Sequence, residues 1–377
     1  MEIIRKTAYS SAEVCRRTFL SLLFLLLLLS CRHDAVPSGF RSSSPPLLPP
    51  DTIGGMEIVF SGDYMIHTPQ ITAARQEGGS YDFLPPLKLV SPIWKAADLA
   101  VINFETTVGD TLFTGYPRFS SPIQSMAALK EAGIGVLGLA NNHICDYGGG
   151  GLQRTLDAAD SLGLVAVGVY RDTAEYRKRF PFVFERNGIR GVLLNYTYGT
   201  NGLPVPQGTV VSRMDTLQMA EDLAAAAWAD VRIVYLHWGA EYSRTPSRTQ
   251  RKVAEMCRRY GADLIIGSHP HVLQPLEMEY RQDSTVSSVT AYSLGNFISN
   301  QRDRYTDGGM ILRIKCLLHA SGRVDYRVET VPVWIWRYRE HWHRRYLAVP
   351  GYMRDKLKFT AEDSLKFALF LNDFSQN

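Results

Sequence analysis

Cysteine is scarce in this 377-residue chain, and the five present do not form a framework. Cys15 and Cys31 lie in or at the end of the N-terminal segment. Cys145, Cys257 and Cys316 stand far apart, without the close pairs of a structural zinc site or a disulfide scaffold. They read as isolated buried thiols, with room for one disulfide at most. Charge of one sign is lacking too: 41 Lys and Arg face 37 Asp and Glu, a formal +4. Residues 1–30 hold Arg5, Lys6, Arg16 and Arg17 against Glu2 and Glu13, which is +2 and leaves only +2 for the rest. Nucleic-acid binding calls for a concentrated basic patch, so nucleic acid is not an expected partner. There is also no solenoid-type repeat and no apolar run of membrane-spanning length.

What is present is an ordinary soluble body, 45% hydrophobic with mean hydropathy −0.11, large enough for one big domain or two modest ones. It is preceded by a targeting segment. Arg16-Arg17 lead into the apolar run Ser21–Leu29, which is short for a span and right for a signal-peptide core. The run ends Leu28-Leu29-Ser30-Cys31, which resembles a bacterial lipobox. That resemblance implies cleavage before Cys31 and lipid on its sulfur and new amino group. Residues 31–54 are rich in Ser, Pro and Gly and read as an extended tether. The expected location is therefore the bacterial cell envelope, anchored in a membrane and facing the periplasm or exterior.

Beyond the tether, strand and helix patterns alternate, and a strand-rich tail follows. Strands are expected at Met56–Ser61, Leu99–Phe104, Gly135–Ala140, Leu164–Val169, Val231–Leu236 and Asp263–Ile266. Helices are expected at 152–162, 214–229 and 248–260, with Gly163 as a stop signal. Asn187-Gly188 marks a hairpin between Phe182–Glu185 and Gly191–Tyr196. The tail reads as consecutive strands: Val272–Glu279, Val286–Ser293, Met310–Cys316 and Val324–Val331. Two sheets covered by helices follow from this order.

Five of the nine histidines fall in short polar motifs after these strands: Gly62-Asp63 with His67, Asn141-Asn142-His143, His237-Trp238-Gly239 and His269-Pro270-His271. Asn103-Phe104-Glu105 adds a carboxylate in the same kind of position. Imidazole, carboxylate and Asn amide suit a borderline divalent metal, and strand ends are where α/β proteins build sites. The pattern points to a metal site, with two ions.

The ordered set resembles the CapA family of capsule (poly-γ-glutamate) synthesis proteins. It includes Asn141–Gly148 with Gly151–Asp157, His237–Tyr242, Gly261–Glu277 and Tyr292–Phe297. It covers about residues 56–332. That family is similar to the calcineurin-like metallophosphoesterases, which implies a four-layer α/β/β/α sandwich. It also implies roles by position. Asp63 would bind a first metal, Glu105 would bridge, and Asn142 and His237 would bind a second. His269 and His271 would divide between the two, and His143 would act as general acid or charge stabiliser, beside Asn142 in the catalytic motif. The ions expected are Mn, Fe or Zn. The chain departs from the phosphoesterase pattern in three places. His67 lies four positions after Asp63 instead of two, though it stays a candidate ligand; Glu105 replaces an Asp; and the last motif reads Gly-Ser-His-Pro-His.

Other residues are open to two readings. Glu105 could instead cap a following helix. Glu241 either orients a ligating imidazole or pairs with an Arg. Asn296 either caps the Gly295 turn or touches substrate. Trp334–Tyr346 interleaves aromatics and bases, reading as an amphipathic strand followed by a basic loop that could meet an anionic polymer or lipid head groups. The expected layout is a signal peptide over 1–30, a tether over 31–54, the CapA-type domain over 55–335 and a C-terminal extension over 336–377. The expected activity is metal-dependent hydrolysis of an anionic envelope polymer or phosphoester. The other reading is a non-catalytic polymer-binding or export factor beside a membrane synthase.

Overall fold

The computed structural model describes residues 51–376, so the signal peptide, Cys31 and nearly all of the tether lie outside the described residues. The first strand, β1 (Thr52–Tyr64), begins a little before the expected domain start, its Thr52 already paired with His319. Helices α1 (Thr68–Ala74) and α2 (Ser91–Ala96) follow, then β2 (Leu99–Phe104), α3 (Ile123–Ala132), β3 (Val136–Gly138), α4 (Gly148–Ser161) and β4 (Val165–Val167). These four strands pair in parallel in the order β4-β3-β2-β1.

The second half opens with the expected hairpin, β5 (Phe182–Arg186) and β6 (Ile189–Thr197), turning at Asn187 and Gly188, both at positive φ. Helix α5 (Thr216–Ala225), β7 (Val231–His237), α6 (Arg248–Arg259) and β8 (Leu264–Ser268) come next. Helix α5 is shorter at both ends than its Ala-rich pattern suggests; the Asp215 side chain caps the amides of Leu217 and Gln218 and fixes its start. β9 (Leu273–Tyr280) and β10 (Val286–Leu294) form a hairpin, and β10 lies parallel to β8. β11 (Asn296–Ile298) then returns to β1, with Asp63 opposite Asn296. β12 (Gly308–His319) runs antiparallel to β1. β13 (Val324–Glu340) and β14 (His343–Pro350) complete the set, and helix α7 (Ala361–Ser375) follows.

The fourteen strands make one hydrogen-bonded sheet, eleven in a single path with β9, β11 and β14 branching from it, but β13 meets β10 at a single pair, Val286 with Tyr326. The path folds on itself there, and the alternation of side chains shows it. On β1, Ile58 and Phe60 pack with Ile233 and Tyr235 of β7 and with Leu264 and Ile266 of β8, forming a core between two sheets. The intervening Val59 faces the other way, onto Trp94, Met126 and Leu129 of α2 and α3. On β7, Val234 and Leu236 likewise turn outward onto Met219, Leu223, Val253 and Cys257 of α5 and α6. A period of two with both faces buried is what a strand inside a layered sandwich requires. The architecture is the expected four-layer α/β/β/α sandwich.

The expected domain end at 335 falls inside the continuous strand β13, and the segment read as a basic loop is strand β14 paired with it. Trp334, Trp336 and Tyr338 pack with Leu347, Phe359, Phe367 and Phe370 in a small core of their own, which is what keeps the strand going. The three body cysteines are free and buried. Among the described residues no helix is long and apolar enough to cross a membrane.

Candidate metal centre

Chain direction brings the polar motifs together. β1, β2 and β3 run parallel to one another, as do β7 and β8, and their C-terminal ends deliver Asp63, Glu105, Asn142, His237 and the His269–His271 turn to one place. The local sequence serves this. A Cβ on Gly62 would stand 1.9 Å from the Gly295 carbonyl oxygen, so only glycine lets β1 approach that turn and place Asp63. The Asp63 amide donates to that same carbonyl at 3.0 Å. His269 and His271 have φ of 97° and 58°, a left-handed conformation costly for non-glycine residues. Strain of this kind persists only where surrounding structure enforces it, and here it turns two imidazoles into the same space.

Asp63, Glu105 and His237 are fully buried; His269 and His271 nearly so. His271 Nδ1 lies 3.0 Å from Asp63 Oδ2, and the Asp63 carboxylate also receives the His269 amide. Glu105 Oε1 is 3.7 Å from Nε2 of both His237 and His271. His237 Nε2 sits 3.0 Å from Asn142 Oδ1, and its Nδ1 is 3.1 Å from Ser268 Oγ. Two groups of donor atoms, each within 4.8 Å of one another, result: Asp63, Glu105 and His237, and Glu105, His269 and His271. Glu105 belongs to both, which is the geometry of a shared carboxylate and not of a helix cap. Both turn histidines fall in the second group, and His271 also reaches Asp63 of the first.

The electrostatics of this centre are unbalanced. Among the described residues neither Asp63 nor Glu105 has an ion pair with Lys or Arg; their only titratable partners are imidazoles. Burial, with the charges of Asp63 and Glu241 adding to it, pushes the Glu105 carboxyl well above its ordinary range. Burial and neighbouring rings push His237 far down, and His269 down to about 3. The buried carboxylates thus lack a counter-charge from the chain, and Glu105 Oε1 and His269 Nδ1 are buried with no hydrogen-bond partner. Buried charge is tolerated when paired or coordinating a metal. Unpartnered N and O ligand atoms among buried carboxylates and imidazoles fit a divalent cation.

His143 stands at the edge of this group. Its Nδ1 donates to Asp146 Oδ2 at 2.8 Å, and the same oxygen accepts the Phe119 amide. His67 is placed differently. It caps α1, its Nδ1 accepts the Asn300 amide at 3.3 Å, and Phe119 stands between its ring and that of His143, at 5.1 and 4.6 Å. It belongs to neither donor group. Glu241 is exposed, hydrogen-bonded to Tyr242. Asn296 is fully buried and its amide donates to Gln301 Oε1 and Thr306 O, holding the 299–307 loop. Three residues escaped the sequence reading. Asn103 donates its amide to Asp63 at 2.8 Å and Glu105 at 3.0 Å, aligning both acids. Asp146 orients His143, and Tyr198 lays its ring 4.7 Å from that of His269. Asn103 and Asp146 sat in the quoted motifs; nothing in sequence marked Tyr198.

Fold and centre together define a class: a layered α/β/β/α protein whose strand ends bury a carboxylate–imidazole centre suited to divalent metal. Within that class the chain belongs to the bacterial capsule synthesis protein family PGA_cap, whose model matches residues 57–301. It is 30% identical over 275 residues to the PGA biosynthesis protein CapA of Bacillus subtilis, covering 71% of this chain and 69% of the relative. It is 32% identical over 255 residues to the capsule biosynthesis protein CapA of Bacillus anthracis, covering 64% and 59%. Among solved structures, a phosphatase of Mycoplasma pneumoniae matches 81% of this chain and 98% of its own, at 16% identity and a TM-score of 0.44. That score is too low to carry a functional argument.

Proposed function

We propose that this protein is a metal-dependent hydrolase of the bacterial cell envelope, anchored through lipid on Cys31, that acts on an anionic polymer or phosphoester in capsule or poly-γ-glutamate production. The observation that carries the hydrolase reading is Glu105, fully buried and shared by two donor groups. Asp63, Glu105, Asn142, His237, His269 and His271 would hold two divalent ions. When bound, such ions would supply Lewis-acid stabilisation of the charge that develops in a hydrolytic displacement. The protein's own residues supply the rest. Asn103 fixes the carboxylates, and Asp146 holds the His143 Nδ1 proton, leaving Nε2 to stabilise or protonate a leaving group. Tyr198 and Tyr242, about half exposed, form the rim. The substrate class is supported by the names of the Bacillus relatives, both placed in capsule or PGA biosynthesis. The membrane anchor is supported by the Leu28–Cys31 pattern.

The test is turnover of a phosphodiester and of poly-γ-glutamate by protein stripped with chelator and then reloaded with Mn, Fe or Zn. Activity that vanishes on stripping, returns on reloading and is lost in His143→Ala supports the reading. Metal-loaded protein that binds polymer but turns over neither substrate would overturn it in favour of an assembly or export role beside a synthase.

A further inference from the structure

The β13–β14 hairpin extends past the body of the sheet. β13 pairs with β12 only as far as Trp334 opposite Gly308. Beyond that it pairs with β14 alone, through Arg337–Tyr346 and Arg339–Arg344 to Glu340–His343. The overhang lies at the same end of the sheet as Asp63, because Ser61 of β1 pairs with Ile311 near the start of β12. Alternation then has a consequence. Val333 and Ile335 are buried, and Val333 packs in the helix-side core. The next two positions on that same strand face are Arg337 and Arg339, both exposed. Their cross-strand partners are Tyr346 and Arg344. A face that is core inside the sheet becomes a row of guanidiniums once it leaves it.

This row runs on from the candidate metal centre. The Tyr242 ring is 6.1 Å from that of His271, and Tyr242 Oη accepts Gln301 Nε2 at 3.1 Å. The neighbouring Asn300 Oδ1 accepts Tyr346 Oη at 2.6 Å and Arg337 Nη1 at 3.5 Å. Arg302 lies beneath, 5.8 Å from the Tyr346 ring centroid, with Nε and Nη2 buried and without an acceptor. On other faces, Arg171, Arg313 and Arg323 each bridge two or more carboxylates. Among the described residues, Arg302, Arg337, Arg339 and Arg344 form no ion pair. Two cavities open on them. One, of about 310 Å³, mixes Arg302, Arg337 and Lys366 with Asp307, Asp363 and Asp373 against α7. The other, of about 420 Å³, has no acid in its lining and lies between Arg339, Arg344 and Trp342 and residues Thr68 and Thr72 of α1. Stability is given up to keep this arrangement. Like charges face each other at Arg339–Arg344, and the turn holds His341 and Trp342 at φ of 45° and 71°.

We propose that the arginine face of this hairpin is an extended subsite for a linear polyanion, guiding a chain with repeating carboxylates or phosphates towards the metal centre. Arginines two residues apart on a strand are spaced roughly 6.6 Å, and each guanidinium can grip an oxyanion with two parallel N–H bonds. A row leading to the site through Asn300 fits a chain substrate better than a membrane, which would call for basic groups confined to the exposed tip. The face lies beyond residue 301, where the family match ends. The substrate class rests on the hydrolase reading above.

The test is fluorescence anisotropy of labelled poly-glutamate and of labelled inorganic polyphosphate on the full chain, with phosphatidylglycerol vesicles as a third probe. The variants are Arg337→Ala/Arg339→Ala/Arg344→Ala and, as a control of equal charge change, Arg177→Ala/Arg186→Ala/Arg259→Ala. The hairpin variant should weaken polymer binding at least about tenfold and flatten its salt dependence, and the control should not. Preference for one polymer identifies which oxyanion is read. Polymer binding that survives the hairpin variant, or arginine-dependent binding to vesicles alone, would overturn the proposal. Binding is read with and without chelator. Arginine-dependent binding without any turnover would therefore defeat the hydrolase reading and leave this one standing.

Discussion

The two ends of β1 carry similar residues with opposite meaning. At one end Asp63 is buried among Glu105, His237, His269 and His271. At the other, Thr52 pairs with His319, a buried histidine whose ring nitrogens lie 3.0 Å from Asp51 and 2.8 Å from Asp325. The difference is the counter-charge. Asp325 also meets Arg281 at 2.8 Å and Arg323 at 3.1 Å, and Arg323 reaches on to Asp283. His319 holds the exposed Asp51 carboxyl below its usual range, and Arg323 adds to this. That cluster carries its own cations. Both ends keep buried atoms without a hydrogen-bond partner, the His319 nitrogens included, but among the described residues no arginine or lysine pairs with Asp63 or Glu105. A histidine among carboxylates is therefore structural where the chain supplies the cations, and a metal site where it does not.

Four changes test that contrast, in order of expected effect. Glu105→Gln removes the carboxylate common to both donor groups. It should abolish retained metal and cut phosphodiester turnover by about 10²–10³-fold or more, read by elemental analysis and steady-state kinetics. Asp146→Asn acts at one remove, since it frees the His143 ring. Turnover should fall about 10–100-fold while metal content stays at the wild-type level. Asp325→Asn strikes the opposite end. It should lower stability by about 2 kcal/mol in urea unfolding, leaving metal content and turnover unchanged.

The last is a pH drift in the metal-stripped protein. The folded-state pKa of Glu105 is raised well above 4.5, so the folded chain keeps a proton that the unfolded chain releases. Its contribution is present below about pH 4.5 and is lost as pH rises towards the folded pKa. The lowered pKa of His237 works in the opposite sense, and its effect is complete above about 6.5. As pH rises from about 4.5, the Tm of stripped wild type should therefore fall relative to that of stripped Glu105→Gln. Metal should remove the difference in slope. Parallel Tm profiles in the two stripped proteins would contradict a raised Glu105 pKa.

Much of this was legible in the sequence because it is local. Gly62-Asp63, Asn141-Asn142-His143 and His269-Pro270-His271 each follow an apolar strand pattern, and parallel strands leave no other place for them to go. The hairpin at Asn187-Gly188 was legible for the same reason. What could not be read depends on pairing between distant segments. Asn103 becomes a clamp only because β2 lies beside β1, and Tyr198 meets His269 only because β6 flanks β7. The ligand grouping of His269 with His271 depends on a left-handed turn that spacing does not encode. The tail misled most. Trp334–Tyr346 looked like a strand and then a basic loop, whereas the aromatic packing of Trp336 and Tyr338 with Phe359 carries β13 five residues past the expected domain end.

The most direct test of the central claim is the metal content of purified wild-type, Glu105→Gln and Asp325→Asn protein after incubation with Mn, Fe or Zn and removal of free ion. The account predicts stoichiometric divalent metal in wild type and Asp325→Asn, and loss in Glu105→Gln. Wild-type protein without metal, or equal metal in wild type and Glu105→Gln, would contradict it.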